Sequence, residues 1–217
     1  MKSAQKGFTL IEIAIVLVII GLLLGGVLKG QELIDNAKIK NAVNDMNGIT
    51  AAYNAYIDRY HRLPGDDGPL ATLQARGGSW TSVSLAGNNN GVIAITQAQV
   101  FTGAGEGAAF WQHLKAGGFI SGNVADTGVA ALPRNGFNGL TGVGTGVTPT
   151  SGTAVLSVCM SQVPGKAARA LDAQLDDGVP NTGLMLATLG TAGANTAPGA
   201  AATTYDDGNL YSICKVL

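Results

Sequence analysis

The sequence predicts an α+β fold, in which one long N-terminal helix precedes a globular head of short helices and strands. An apolar run of about 21 residues lies near the start of the chain, and apolar residues then recur at three- and four-residue steps as far as Tyr60. Residues 61–217 instead alternate short apolar stretches with segments rich in Gly, Thr and Asn, which are typical of strands and turns. The length of 217 residues fits one folded domain with an appendage.

The charge composition excludes some classes of protein. The formal net charge is -1, so the chain has no basic field that would attract nucleic acid, and we expect that no nucleic-acid partner is required. Charged residues make up 12 % of the chain, against about a quarter in ordinary soluble domains. The apolar excess is concentrated near the N-terminus, which points to a membrane.

Residues 8–28 form the predicted transmembrane helix. At about 1.5 Å per residue, this run spans about 32 Å as a helix, close to the thickness of the bilayer hydrocarbon. Lys2 and Lys6 precede it and favour a cytoplasmic N-terminus with the head on the far side. An ordinary secretory signal has a shorter apolar core and a small-residue cleavage site after it, and this segment has neither. We therefore expect a single-pass membrane precursor.

Glu12 is a carboxylate near the start of this apolar run. Insertion scales give about 2.5–3.5 kcal/mol for an Asp at the centre of a membrane helix. One explanation is structural: Thr9 and Glu12 have the spacing of a capping box, with Thr9 as the N-cap. The other is a functional charge. The residues alone leave both open.

The string Lys-Gly-Phe-Thr-Leu-Ile-Glu at residues 6–12, with the apolar run after it, resembles the prepilin (class III) signal of type IV pilins and type II secretion pseudopilins. The resemblance implies that a membrane peptidase cuts after Gly7, that residues 1–7 are a leader peptide, and that Phe8 becomes an N-methylated terminus. It also implies that Glu12 meets the new terminal ammonium, its own or a neighbouring subunit's. Such an ion pair fixes the axial position of one subunit relative to the next more than it adds net stability.

The resemblance implies a structural, non-enzymatic subunit of a type IV pilus-like filament used in attachment. It also implies that the precursor is held in the inner membrane before the subunit enters a periplasmic or cell-surface filament. The implied partners are copies of itself or other pilins, the prepilin peptidase/methyltransferase and an inner-membrane assembly platform. One alternative is a pseudopilin of a type II secretion system. The Gly/Thr-rich head and C-terminal cysteine favour the pilus, and an acidic loop favours the pseudopilin. A second alternative is a single-span membrane-anchored binding module or enzyme.

Residues 29–60 continue the helix in amphipathic form, and the Leu-Pro-Gly-Asp string at residues 63–66 ends it. Four glycines interrupt the apolar part of this helix. They permit close helix packing in a membrane, or allow local melting, or are neutral. The glycines are Gly21, Gly25, Gly26 and Gly30.

Residues 61–217 form the predicted α+β head. Short helices are predicted at Ala108–Leu114 and Pro164–Leu175, and strands at Thr153–Met160 and Leu210–Leu217. The pilin resemblance implies an antiparallel sheet packed across the long helix, with the Gly/Thr-rich connections as exposed loops.

Cys159 and Cys214 are the two cysteines of the chain, and they lie outside any C-x-x-C spacing. Because the head faces an oxidising compartment, they are expected to form a disulfide, with two buried free thiols as the alternative. Cysteines near the C-terminus are also similar to the disulfide-bounded loop of many type IV pilins.

Three Asp-Asp-Gly triplets, at residues 66–68, 176–178 and 206–208, have ordinary turn chemistry. A calcium site is the sharper alternative, with Asp176, Asp177, Asp206 and Asp207 as candidates, because carboxylates suit that cation and major pseudopilins bind calcium. No other cofactor is expected. His61 and His113 stand apart from each other and from the cysteines, so they predict no catalytic site.

Overall fold

The computed structural model describes residue 7 and residues 9–146 and 155–217. The predictions for leader residues 1–6, for Phe8 and for the start of the strand at Thr153 lie outside the described residues. The chain divides into two compact units, Met1–Lys38 and Ile39–Leu217.

Helix α1 runs from Leu10–Tyr60 as one continuous element, which confirms the predicted end of the long helix. At its end, His61 adopts a left-handed conformation with φ of 54°, and its N–H donates to the carbonyl of Ile57 at 2.8 Å. This local backbone bond satisfies one of the carbonyls that a helix end leaves without a partner.

The first unit contains the apolar part of α1. Every side chain from Thr9 to Lys29 is exposed, including those of its large apolar residues. Within the described residues, α1 is the one helix long and apolar enough to cross a membrane.

The second unit contains a four-stranded antiparallel sheet, in the order β1-β2-β4-β3. Its strands are β1 Thr141–Thr145, β2 Leu156–Pro164, β3 Met185–Leu189 and β4 Leu210–Val216. The predicted strand near residue 156 and the predicted C-terminal strand are confirmed, although β2 extends four residues beyond Met160.

Strand β1 corrects the expectation that the Gly/Thr-rich connections are exposed loops, because its first four residues are buried. A Cβ added to Gly142 would lie 2.0 Å from the carbonyl oxygen of Val100. The strand therefore needs glycine where another element approaches its backbone, so its composition is that of a loop although its environment is that of a core strand.

Three further helices complete the head: α2 Leu70–Gln74, α3 Gly105–Ala116 and α4 Gly165–Leu175. Both predicted short helices are present, and α3 is longer than predicted. Short 3₁₀ segments lie at Gly78–Ser82, Gln97–Gln99 and Gly128–Ala131.

One face of the later part of α1 belongs to the core of the head. Its buried residues recur at three- and four-residue steps, as an amphipathic helix requires. They join a hydrophobic cluster that contains residues from α3, α4 and all four strands. These α1 residues are Ile39, Ala42, Met46, Ile49, Ala52 and Tyr56.

Candidate functional site

Thr9 and Glu12 form a reciprocal capping arrangement at the start of α1. The backbone N–H and the hydroxyl of Thr9 donate to Glu12 Oε2 at 2.8 and 2.7 Å, and the N–H of Glu12 donates to Thr9 Oγ1 at 3.3 Å. This is the capping box that the spacing predicts, with free helix-start donors satisfied by side chains. It holds the carboxylate of Glu12 at the N-terminal end of the helix, where the helix dipole favours a negative charge.

The predicted cleavage point lies just before this cap. Gly7 is exposed and precedes α1, while Phe8 lies outside the described residues. Cleavage after Gly7, methylation of Phe8 and a role for Glu12 in assembly stay predictions.

The apolar side chains after the cap form a continuous exposed surface. Large apolar side chains are normally buried, and exposed apolar patches of this kind mark a membrane or a partner. The most exposed members are Leu10, Ile11, Leu17, Leu22, Leu23 and Leu28.

The disulfide Cys159–Cys214 joins the two central strands of the sheet. The two residues are direct partners in the register of β2 and β4, and both are buried. The bond closes a stretch with a sequence separation of 55, which contains α4 and β3. The free-thiol alternative is therefore excluded in this structure.

Asp67 lies at the centre of a buried polar network that the sequence did not indicate. Its Oδ2 accepts the hydroxyl of Tyr56 at 2.7 Å and Nη2 of Arg76 at 2.8 Å. The guanidinium of Arg76 lies 4.5 Å from the ring centroids of both Tyr60 and Trp80. Burial and the carboxylate of Asp67 raise the pKa of Tyr56, which keeps the phenol protonated as the donor. The first Asp-Asp-Gly triplet is thus a structural anchor for α1 and not only a turn.

His113 is fully buried beside this network. Its Nδ1 accepts the N–H of Gly65 at 2.9 Å, and its Nε2 lies 3.0 Å from the carbonyl oxygen of Leu85. A neutral imidazole protonated at Nε2 satisfies both contacts. Burial lowers the pKa of His113, while the Leu85 carbonyl raises it. His113 therefore holds two segments of backbone in place, and His61 is exposed at the end of α1.

The structure groups the calcium candidates differently from the prediction. Asp172, Asp176 and Asp177 each offer an oxygen within 4.8 Å of the others. Asp172 is fully buried, its Oδ2 accepts the hydroxyl of Tyr205 at 2.6 Å, and its Oδ1 has no hydrogen-bond partner among the described residues. Burial raises the pKa of Asp172.

Asp206 and Asp207 serve other contacts. Asp206 Oδ1 accepts the N–H of Gly208 at 2.8 Å, which is turn chemistry, and Asp207 Oδ1 pairs with Nη2 of Arg169 at 3.0 Å. Sequence reasoning missed Asp172, because a single acidic residue within a helix gives no sign that it will face a loop.

Fold and N-terminal segment together define a class: a pilin-like α+β protein with a long, partly apolar N-terminal helix and a four-stranded antiparallel head. The model of the prokaryotic N-terminal methylation motif matches residues 2–28. The chain is 36 % identical over 100 residues to the fimbrial protein EcpC of Eikenella corrodens. That alignment covers 44 % of this chain and 65 % of the fimbrial protein.

The start of the chain thus matches the methylation motif, and part of the chain is similar to a fimbrial protein.

Proposed function

We propose that the chain is a structural subunit of a type IV pilus-like filament, made as a membrane precursor, cut after Gly7, methylated at Phe8 and polymerised through α1. The observation that carries the proposal is the run of exposed apolar side chains from Leu10 to Leu28, which lies within the matched methylation motif at residues 2–28. In a membrane this surface faces lipid, and in a filament it faces the same segment of other subunits. Its partners are other pilins, a prepilin peptidase and an inner-membrane assembly platform.

Glu12 sets the register in this proposal. The carboxylate of Glu12 accepts a hydrogen bond from the backbone N–H of Thr9. A cut after Gly7 would place the new terminal ammonium on Phe8, the residue directly before Thr9. An unpaired carboxylate in an apolar filament core is strongly disfavoured, and a neighbour's terminal ammonium removes that penalty. Subunits therefore dock where the two charges meet.

The pilus is favoured over the pseudopilus by one observation, because the relative found by comparison is a fimbrial protein. An enzyme is the less supported alternative. The buried imidazole of His113 and the carboxylate of Asp67 are both engaged in contacts that hold the head together.

Mass spectrometry of the protein from cells that contain a prepilin peptidase tests the processing step. We expect a chain that begins at Phe8 and carries one added methyl group. A chain with residues 1–7 intact, or one cut beyond Leu28, would contradict the proposal.

A Glu12→Gln variant tests the register step in the same cells. We expect normal processing and a large loss of sheared filaments, because the amide keeps the size of the side chain but loses its charge. An Asp58→Asn variant is the matched control, since Asp58 is an exposed carboxylate on the same helix and does not line the groove beside it. Normal filament yield from Glu12→Gln would refute the role of the charge.

We further propose that Asp172, Asp176 and Asp177 bind calcium. The supporting observation is Asp172 Oδ1, a buried carboxylate oxygen that has no hydrogen-bond partner among the described residues and lies beside two more carboxylates. A buried charge needs a compensating partner, and carboxylate oxygens are ligands that Ca²⁺ accepts.

Thermal unfolding with calcium and with a chelator tests this site. We expect calcium to raise the Tm of the wild type and not that of Asp176→Asn, while Asp207→Asn, outside the cluster, responds like the wild type. Equal Tm values for the wild type with and without calcium would refute the site.

A further inference from the structure

A groove of about 330 Å³ opens on the head beside α1. Ile49 and Trp111 contribute to its apolar lining, and Ile120 lines it in a partly exposed position. Asp45 and Arg134 also line it, and neither takes part in an ion pair among the described residues. The groove thus combines apolar surface with one acid and one base that form no ion pair within the described part of the chain.

Gly48 lies in this groove, in the interior of α1. A Cβ added there would meet no atom within 4 Å, so the head itself does not need a glycine at this position. Glycine weakens a helix interior relative to alanine. A bare stretch of helix backbone permits close approach of another helix, so Gly48 leaves room for one at this surface.

A complementary surface exists on α1 itself, just past the membrane segment. Leu28 and Leu33 are 65 % and 61 % exposed, and the ion pair of Lys29 and Glu32 lies between them with an N–O distance of 2.9 Å. At about 100° per residue, these four residues fall within about 140° of one helix face. The face therefore offers two leucines that flank one base and one acid.

We propose that the groove receives this face from a second copy of the chain, with the neighbour's Lys29 opposite Asp45 and its Glu32 opposite Arg134. The match is one of charge and of apolar contact, and Gly48 lets the two helices approach closely. The contact rests on the proposed filament function and deepens it, because it adds a lateral register that is independent of Glu12. It also covers Leu33, which lies beyond the predicted membrane segment.

Filament yield from cells tests the proposal with three variants. Gly48→Gln fills the groove with a good helix former, and we expect a head at least as stable as wild type, with Tm equal or higher, but fewer filaments. Arg134→Glu places an acid opposite the neighbour's Glu32, and we expect at least about a threefold loss of filaments. Adding Glu32→Arg to Arg134→Glu is expected to restore the yield.

Ala51→Gln is the matched control, because Ala51 is exposed on α1 and does not line the groove. It is expected to leave the yield unchanged. A zero-length carbodiimide cross-linker adds a direct readout: we expect an amide between Lys29 and Asp45 in intact filaments and none in dissociated subunits.

The outcomes separate this contact from the filament function. Wild-type filaments whose yield is unchanged by Gly48→Gln and by Arg134→Glu, and which give no Lys29–Asp45 cross-link, would overturn the contact and leave the filament function standing. Absence of filaments from the wild type would overturn both. A loss of yield with a lowered Tm in Gly48→Gln, and no restoration by the charge swap, would also overturn the contact.

Discussion

The disulfide allows the most quantitative prediction, in which Cys159 and Cys214 are both replaced by alanine. The bond joins facing residues of β2 and β4 and closes a stretch with a sequence separation of 55. In the chain-entropy model, a cross-link over a loop of this length removes about 14 cal/mol/K from the unfolded chain, which is about 4 kcal/mol at 25 °C. Because folded domains are stable by only about 5–15 kcal/mol, this is a large share of the total.

The assay is denaturant unfolding of the full chain in detergent, followed by a probe of the head. We expect the free energy of unfolding to fall by about 4 kcal/mol, and the Tm by roughly 10 °C for a domain of this size. The wild type unfolded under reducing conditions is the matched control, because it loses the cross-link and keeps both side chains.

A fall of less than about 1 kcal/mol in both the double variant and the reduced wild type would refute the reasoning. It would mean that the unfolded chain already keeps residues 159 and 214 close together, so that the bond restricts little. A large fall in the double variant alone would assign the effect to packing of the buried cysteines.

Three further changes test the head. Asp67→Asn leaves the cation of Arg76 without its buried carboxylate, and we expect a loss of about 3 kcal/mol in urea unfolding; a loss below 0.5 kcal/mol would contradict the network. Burial lowers the pKa of His113, so the stabilisation from its neutral form is complete above the usual pKa of about 6.5 and falls as the pH drops below that value. Between pH 7.5 and pH 5.5, we therefore expect the Tm of His113→Gln to fall less steeply than the Tm of the wild type. Equal slopes for the two proteins would contradict this. Gly142→Ala forces a Cβ against a neighbouring backbone carbonyl, and we expect a loss of about 2–3 kcal/mol, whereas Gly199→Ala, in open space, is expected to change little.

The calcium and groove sites show where sequence reasoning ends. Asp176 and Asp177 were candidates because they are neighbours in the chain, but their third member, Asp172, is one turn earlier on α4. Likewise, Asp45 and Arg134 line one groove although 89 positions separate them in sequence. Nothing in the composition around either residue indicates that the other is near.

Local patterns along the chain were enough to predict the long helix, its end at Tyr60 and its cap at Thr9 and Glu12, because helices and caps depend on contacts between residues three or four apart. They also predicted a membrane segment at residues 8–28, since that prediction depends only on the length of an apolar run. Two short helices and two strands followed from local apolar spacing in the same way.

The outer strands β1 and β3 and the network of Asp67 depend instead on contacts between distant parts of the chain. Strand β1 has the composition of a loop, and it is a buried strand only because β2 pairs with it along its whole length. Asp67 is buried only because Tyr56 and Arg76 meet it from other parts of the chain. Pairing and burial depend on which distant segments come together, and a local pattern contains no information about that choice.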